Sequence, residues 1–226
     1  MEGLSLVLGI VWILYSVLLL PIYLLKQGKH GLIKAMPYKL ILSLVFCFMG
    51  FGSLFQNGVT MFSALIVLGL IASFVGDYYL IYIQTDDHKF IKGIFYFGIA
   101  HFFYITAMAN LIPIRMMEIV ITFVFLIILF LIKTITKPQM GKAEIPMSLY
   151  SIFVTFMAVK AISMMFASVP PLTHQWLFSL GAMLFLISDL CLGVWRYVYP
   201  KKILSQVVAV TYFVGQLMLA TVLYFQ

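Results

Sequence analysis

Long apolar runs alternate with short polar breaks along almost the whole chain, and this rhythm decides its class. Eight runs approach the roughly 20 residues needed to cross a hydrocarbon core, at about 4–25, 37–55, 59–83, 91–109, 114–132, 145–167, 173–195 and 203–225. The breaks carry Gly, Pro or charge: Lys26 to Gly31, Gln56–Gly58, Asp86–Lys89, Asn110–Pro113, Lys137 to Pro146, Pro170–Pro171 and Pro200–Lys202. The pattern predicts an all-α, polytopic bundle of eight transmembrane helices in one integral-membrane domain over residues 1–226. The second run is the weakest of these, being short and carrying Lys39.

Composition agrees. With 64% hydrophobic and 9% charged residues, too little charge remains to cover a soluble surface. The net charge of +7 does not indicate nucleic acid, because the cations fall in the breaks. The first, third, fifth and seventh connections hold Lys26, Lys29, Lys34, Lys89, Lys92, Lys133, Lys137, Lys142, Arg196, Lys201 and Lys202, whereas the other connections and the termini hold Arg115 alone. The positive-inside rule then puts those four loops in the cytoplasm and both termini outside, in a multi-pass protein of the cell membrane. The N-terminal run lacks a basic leader region and a small-residue cleavage site, so it is read as a retained span. Cys47 and Cys191 lie within apolar runs and read as small buried hydrophobes rather than a disulfide.

Against this background two carboxylates stand out. Asp77 sits in ASFVGDYYLIY and Asp189 in MLFLISDLCLGVW, where a charge costs on the order of 3 kcal/mol by insertion scales. Each lies seven residues before a polar break, at Gln84 and Arg196, so both reach a depth of roughly 10 Å on helices running the same way. They are positioned to share one cavity. Their surroundings also align weakly: Gly69 and Gly181, Gly76 and Ser188, Leu80 and Leu192 occupy equivalent places at an offset of 112 residues. That offset spans four helices and fits two parallel four-helix repeats.

Helical spacing adds neighbours: Ser73 on the face of Asp77, Gly193 and Arg196 on that of Asp189, His101 with Tyr104, and Tyr212 with Gln216. Lys34 precedes Pro37 at the start of the second run, and Lys160 lies within the sixth. Each also has a plainer role: an ion pair for the aspartates with Lys160 or His101, interhelical hydrogen bonds for Ser73, Ser205 and Gln216, and loop charge for Lys34 and Arg196. Asp86, Asp87 and His88 read as a solvated loop, so no metal or other cofactor is expected. No GxSxG elbow, P-loop or GxGxxG occurs.

Taken together, Lys34-Ala-Met-Pro37, Val75-Gly-Asp77-Tyr-Tyr-Leu80, the segment Phe90 to Tyr104 containing Ala100-His101, Gly181 to Asp189, Arg196-Tyr197 and Tyr212-Phe-Val-Gly-Gln216 resemble the YhhN-like lysoplasmalogenase family. The resemblance covers nearly the whole chain. It departs modestly at Phe213 and Gly215, where a second Tyr and an Ala are expected. It implies eight spans and hydrolysis of the vinyl-ether bond of lysoplasmalogens to a fatty aldehyde and a glycerophospho-base. On this reading Asp77 and Asp189 are catalytic, with Asp77 favoured as the acid and Asp189 as its ionised partner. Lys34, His101, Tyr104, Arg196, Tyr212 and Gln216 contact substrate, Lys34 and Arg196 at its phosphate. The partners are the lysophospholipid, membrane lipid and at most a second copy in a homodimer. The rival class is a proton-coupled transporter built on the same aspartates. An intramembrane aspartyl protease fits less well, because Phe74-Val-Gly-Asp77 and Ile187-Ser-Asp189 lack its motifs.

Overall fold

The computed structural model describes residues 2–166 and 175–225. Among the described residues eight helices are long and apolar enough to cross a membrane: α1 Gly3–Lys34, α2 Met36–Asn57, α3 Met61–Leu80, α4 Asp87–Leu111, α5 Met116–Thr136, α6 Gly141–Met165, α7 Gln175–Tyr197 and α8 Lys202–Phe225. The chain is a multi-pass membrane protein. The expected break at Pro170–Pro171 lies outside the described residues.

Several helix ends differ from those expected, each for a local reason. α1 does not stop near Leu25 but runs on into the basic segment, turning only at Gly31, whose φ of 82° suits a residue without a Cβ. Within α1, a π-helical stretch at Leu14–Leu19 precedes Pro21. Proline has no N–H for the α-helical ladder, and the wider turn takes up the mismatch. α3 ends at Leu80, before a turn at residues 81–85, because Asp86 starts the next helix by accepting the Lys89 backbone N–H at 3.0 Å. That bond holds the Asp86 carboxyl below the usual carboxylate range. α3 itself opens with a Thr60–Ser63 capping box.

α3 packs along α4, and α7 along α8, more extensively than any other pairs. Glycine permits both contacts. A Cβ on Gly69 would lie 2.2 Å from the Tyr104 ring, and one on Gly181 would lie 2.9 Å from the Gly215 carbonyl oxygen. Gly215 meets the Gly181 carbonyl in return at 2.8 Å. Without a hydrophobic drive between helices in lipid, such close backbone approach is what holds them. Gly69 and Gly181 are related by the 112-residue offset, and so are Tyr104 and Gln216, which hydrogen-bond to each other at 3.0 Å.

α5 stands at the periphery and packs chiefly on α6. Its main polar tie is buried. Lys160 Nζ donates to Glu118 Oε1 at 3.1 Å and to the Pro113 carbonyl at 2.9 Å, and Ser163 also donates to Glu118. Lys160 is therefore paired with Glu118 rather than with an aspartate of the site.

Candidate active site

Asp77 and Asp189 line one cavity between α1, α2, α3, α4, α7 and α8, together with Lys39, Tyr212, Phe97, Leu80, Leu192 and Trp195. About 50 Å³ of it is open to the centre of a water molecule, room for a few waters but not for a lipid chain. The shared cavity arises although the two helix ends are not alike: α3 stops three residues after Asp77, whereas α7 continues for eight beyond Asp189.

The two carboxyls have unlike surroundings. Asp77 is 1% exposed and fully engaged. Its Oδ1 lies 3.0 Å from Lys39 Nζ, and its Oδ2 accepts from Ser43 Oγ at 2.7 Å and from the Tyr212 hydroxyl at 2.6 Å. Lys39 Nζ also donates to the Asp77 carbonyl at 3.1 Å, satisfying one of the acceptors left unpaired at the end of α3. Three donors, one of them cationic, suit an ionised carboxylate. Asp189 is half-buried, and among the described residues its side-chain partner is the Tyr150 hydroxyl, 2.6 Å from Oδ2.

Of the other residues expected at the site, Tyr212 alone reaches the cavity and touches a carboxyl. Tyr104 and Gln216 close a separate buried network with Ser73, in which Gln216 Nε2 donates to Ser73 Oγ at 2.9 Å. They lie one helical turn beyond Asp77 and Tyr212 and do not line the cavity. His101 lies behind Tyr150. Its Nδ1 bonds the Phe97 carbonyl at 2.6 Å and its ring packs on Phe185 and Tyr150, while Nε2 is buried without a hydrogen-bond partner among the described residues. Lys34 is exposed and lies outside the cavity. Arg196 lines an outer concavity, pairs with Asp87 and stacks on Phe90 at 4.0 Å.

Three residues at the carboxyls were not singled out from the sequence for this role: Lys39, Ser43 and Tyr150. Lys39 did carry a signal, since a lysine inside an apolar run needs an anionic partner just as an aspartate needs a cation. Ser43 follows it at i+4 on the same face. Tyr150 carried none, being one of 13 tyrosines.

Fold and site together define an eight-helix integral-membrane protein with a buried two-carboxyl centre near the basic end of the bundle. The chain matches the model of the YhhN family over residues 29–223. It belongs to that family, whose members include lysoplasmalogenases. No curated protein and no solved structure matches it.

Proposed function

We propose that the protein is a membrane hydrolase that cleaves the vinyl-ether bond of lysoplasmalogens. The observation that carries this reading is the pair of carboxyls lining one water-sized cavity in unlike donor environments. Cleaving R–CH=CH–O–R′ begins with protonation of the alkenyl β-carbon, which creates an oxocarbenium ion. Water then adds to the carbon next to oxygen, its spare proton returns to the carboxylate, and the hemiacetal collapses to R–CH₂–CHO and R′–OH. The reaction needs a proton donor beside a fixed negative charge, the same logic as the carboxyl pair of glycosidases.

The donor set supports a division of roles opposite to that expected from sequence. Asp77, held by Lys39, Ser43 and Tyr212, suits the permanently ionised partner that faces the developing cation. Asp189, with Tyr150 as its neutral partner, is free to carry and deliver the proton. The alkenyl chain does not fit within the cavity, so its first carbons meet the apolar lining at Leu80, Phe97 and Leu192 and the rest lies between helices, in lipid.

Incubation of purified protein with lysoplasmenyl-ethanolamine and -choline, and with their saturated ether and acyl analogues, tests the reading. Fatty aldehyde is expected from the vinyl ethers alone. Gradient-driven accumulation of a solute in proteoliposomes, with no aldehyde, would instead establish a transporter.

A further inference from the structure

Beside the carboxyl cavity, at the basic end, lies a second concavity of about 230 Å³ lined by Gln27, Gly28, Gln84, Trp195, Lys202 and Ser205 among others. Gln27, Leu32, Trp195 and Ser205 line both spaces, so the two are neighbours across a shared wall.

Several features of this space point to an anionic ligand that also bears a hydroxyl. α8 begins here, and Lys201 at its start provides no side-chain cap. The Leu204 N–H is taken by the Lys201 carbonyl at 3.0 Å, but the N–H groups ahead of it at a helix start have no partner within the helix, and the helix dipole adds partial positive charge. Lys202, the first residue of α8, lays its ammonium group against Gly28, where a Cβ would sit 2.8 Å from Nζ. No carboxylate pairs with Lys202 among the described residues, whereas Arg196 nearby is held by Asp87. The remaining feature is independent of the helix end. Gln27 is 9% exposed, and its Oε1 is buried without a hydrogen-bond partner among the described residues. A buried acceptor left bare costs about as much as a lost hydrogen bond, and a ligand hydroxyl would satisfy it.

We propose that this concavity is the head-group subsite. The phosphodiester of a lysophospholipid lies between Lys202 and the first turn of α8, and the free glycerol hydroxyl donates to Gln27 Oε1. The inference rests on the hydrolase reading and adds the substrate's anchoring points to it. The dimensions agree. Six bonds separate phosphorus from the first alkenyl carbon of a lysoplasmalogen, a reach of roughly 7 Å at bond lengths of about 1.5 Å. From Lys202 to Ala209, which lines the carboxyl cavity, α8 rises roughly 10 Å. A head group at Lys202 therefore delivers the vinyl ether to the neighbourhood of the two carboxyls. The phosphate contact assigned from sequence to Lys34 and Arg196 passes to Lys202.

The test compares lysoplasmenyl-ethanolamine with 1-alkenylglycerol, which lacks the phosphate, as the ratio of kcat/KM values. It also measures binding of the non-hydrolysable 1-alkyl lysophospholipid by equilibrium dialysis in detergent. Lys202→Gln is expected to lower the preference for the phosphorylated substrate about tenfold and to weaken alkyl-lipid binding by a similar factor, with Lys202→Arg restoring both. Gln27→Leu is expected to erase discrimination against a 2-O-methyl substrate. Unchanged preference and unchanged binding in Lys202→Gln overturn the subsite. Inorganic phosphate that displaces the alkyl lipid as well as glycerophosphoethanolamine does would assign the site to free phosphate and overturn the lipid assignment. Wild-type protein that binds the alkyl lipid through Lys202 but releases no aldehyde would sink the hydrolase reading while leaving the subsite standing.

Discussion

Removing the Lys39 ammonium group from its place beside Asp77 gives the sharpest test of how the site is held. Nζ and Oδ1 are 3.0 Å apart, with side chains 10% and 1% exposed. At an effective dielectric near 20, charges at that distance attract by about 5 kcal/mol, and deleting one partner of a buried pair costs about 3–5 kcal/mol because the other charge is stranded. Lys39→Met should therefore destabilise the protein by about 3 kcal/mol or more, with Ser43 and Tyr212 still donating to Asp77. Lys39→Met combined with Asp77→Asn removes both charges together and should recover most of that loss, since neutral replacements of buried pairs are close to isoenergetic. Aldehyde release should stay absent in the double variant, because the fixed anion is gone. Unfolding of the wild type, Lys39→Met, Asp77→Asn and the double variant in mixed detergent micelles, followed by tryptophan fluorescence, gives the four free energies of the cycle. A double variant as unstable as Lys39→Met alone would refute the pairing, and a double variant with near-normal turnover would refute the role given to Asp77.

Tyr150→Phe removes the hydroxyl that donates to Asp189 at 2.6 Å while its ring still packs on His101, so kcat should fall about tenfold to a hundredfold with KM little changed in steady-state aldehyde assays. Gly181→Leu drives a side chain into the Gly215 carbonyl and should part α7 from α8, measured as a fall in thermal stability with loss of turnover. Gly193→Ala on the same helix, whose Cβ would meet only Met147 at 3.8 Å, should be tolerated in both measurements. Lys160→Met strands Glu118 between α5 and α6 and should lower stability by about 3 kcal/mol. Turnover per folded molecule should hold, because Lys160 lies ten residues, roughly 15 Å, along α6 from Tyr150.

The eight spans were legible because apolar runs of membrane-spanning length are a strong one-dimensional signal, and the loop charges repeat it independently. Helix ends were less so. Nothing in the composition distinguishes the polar Lys26 to His30 segment as loop from the same residues as a helix projecting past the hydrocarbon, and only the φ of Gly31 decides it. The aspartates were legible by cost, and they line one cavity although their helices end three and eight residues further on rather than at the equal distance counted to the next break. Of their partners Tyr212 alone was named, because helical spacing reports neighbours along one helix whereas Lys39, Ser43 and Tyr150 arrive from other helices. Tyr104 and Gln216 show the converse. Each lies on a polar stripe near the site, but they satisfy one another, and a closed network offers nothing to a ligand.

The 112-residue offset makes the asymmetry between the carboxyls informative. It carries Asp77 to Asp189, and by the same shift Lys39 to Ser151 and Ser43 to Thr155. The second half thus has no cation where the first has Lys39. Thr155, at the place of Ser43, is buried and its hydroxyl has no partner among the described residues, Asp189 included. Ser151 turns back to the Ser148 carbonyl. Asp189 draws on Tyr150, a neutral donor from α6, the helix that carries Ser151 and Thr155. Two positions related by the 112-residue offset therefore have inequivalent supports. One has a counter-ion and two hydroxyls that fix a negative charge, and the other a single hydroxyl. Unlike supports fix which carboxyl keeps its charge and which carries the proton, and that suits chemistry beginning with one proton donated and one charge retained. Transplanting the first support into the second half, as Ser151→Lys, should then suppress aldehyde release by fixing Asp189 as an anion. Retention of full activity with a lysine shown by structure to pair with Asp189 would refute the division of roles proposed here.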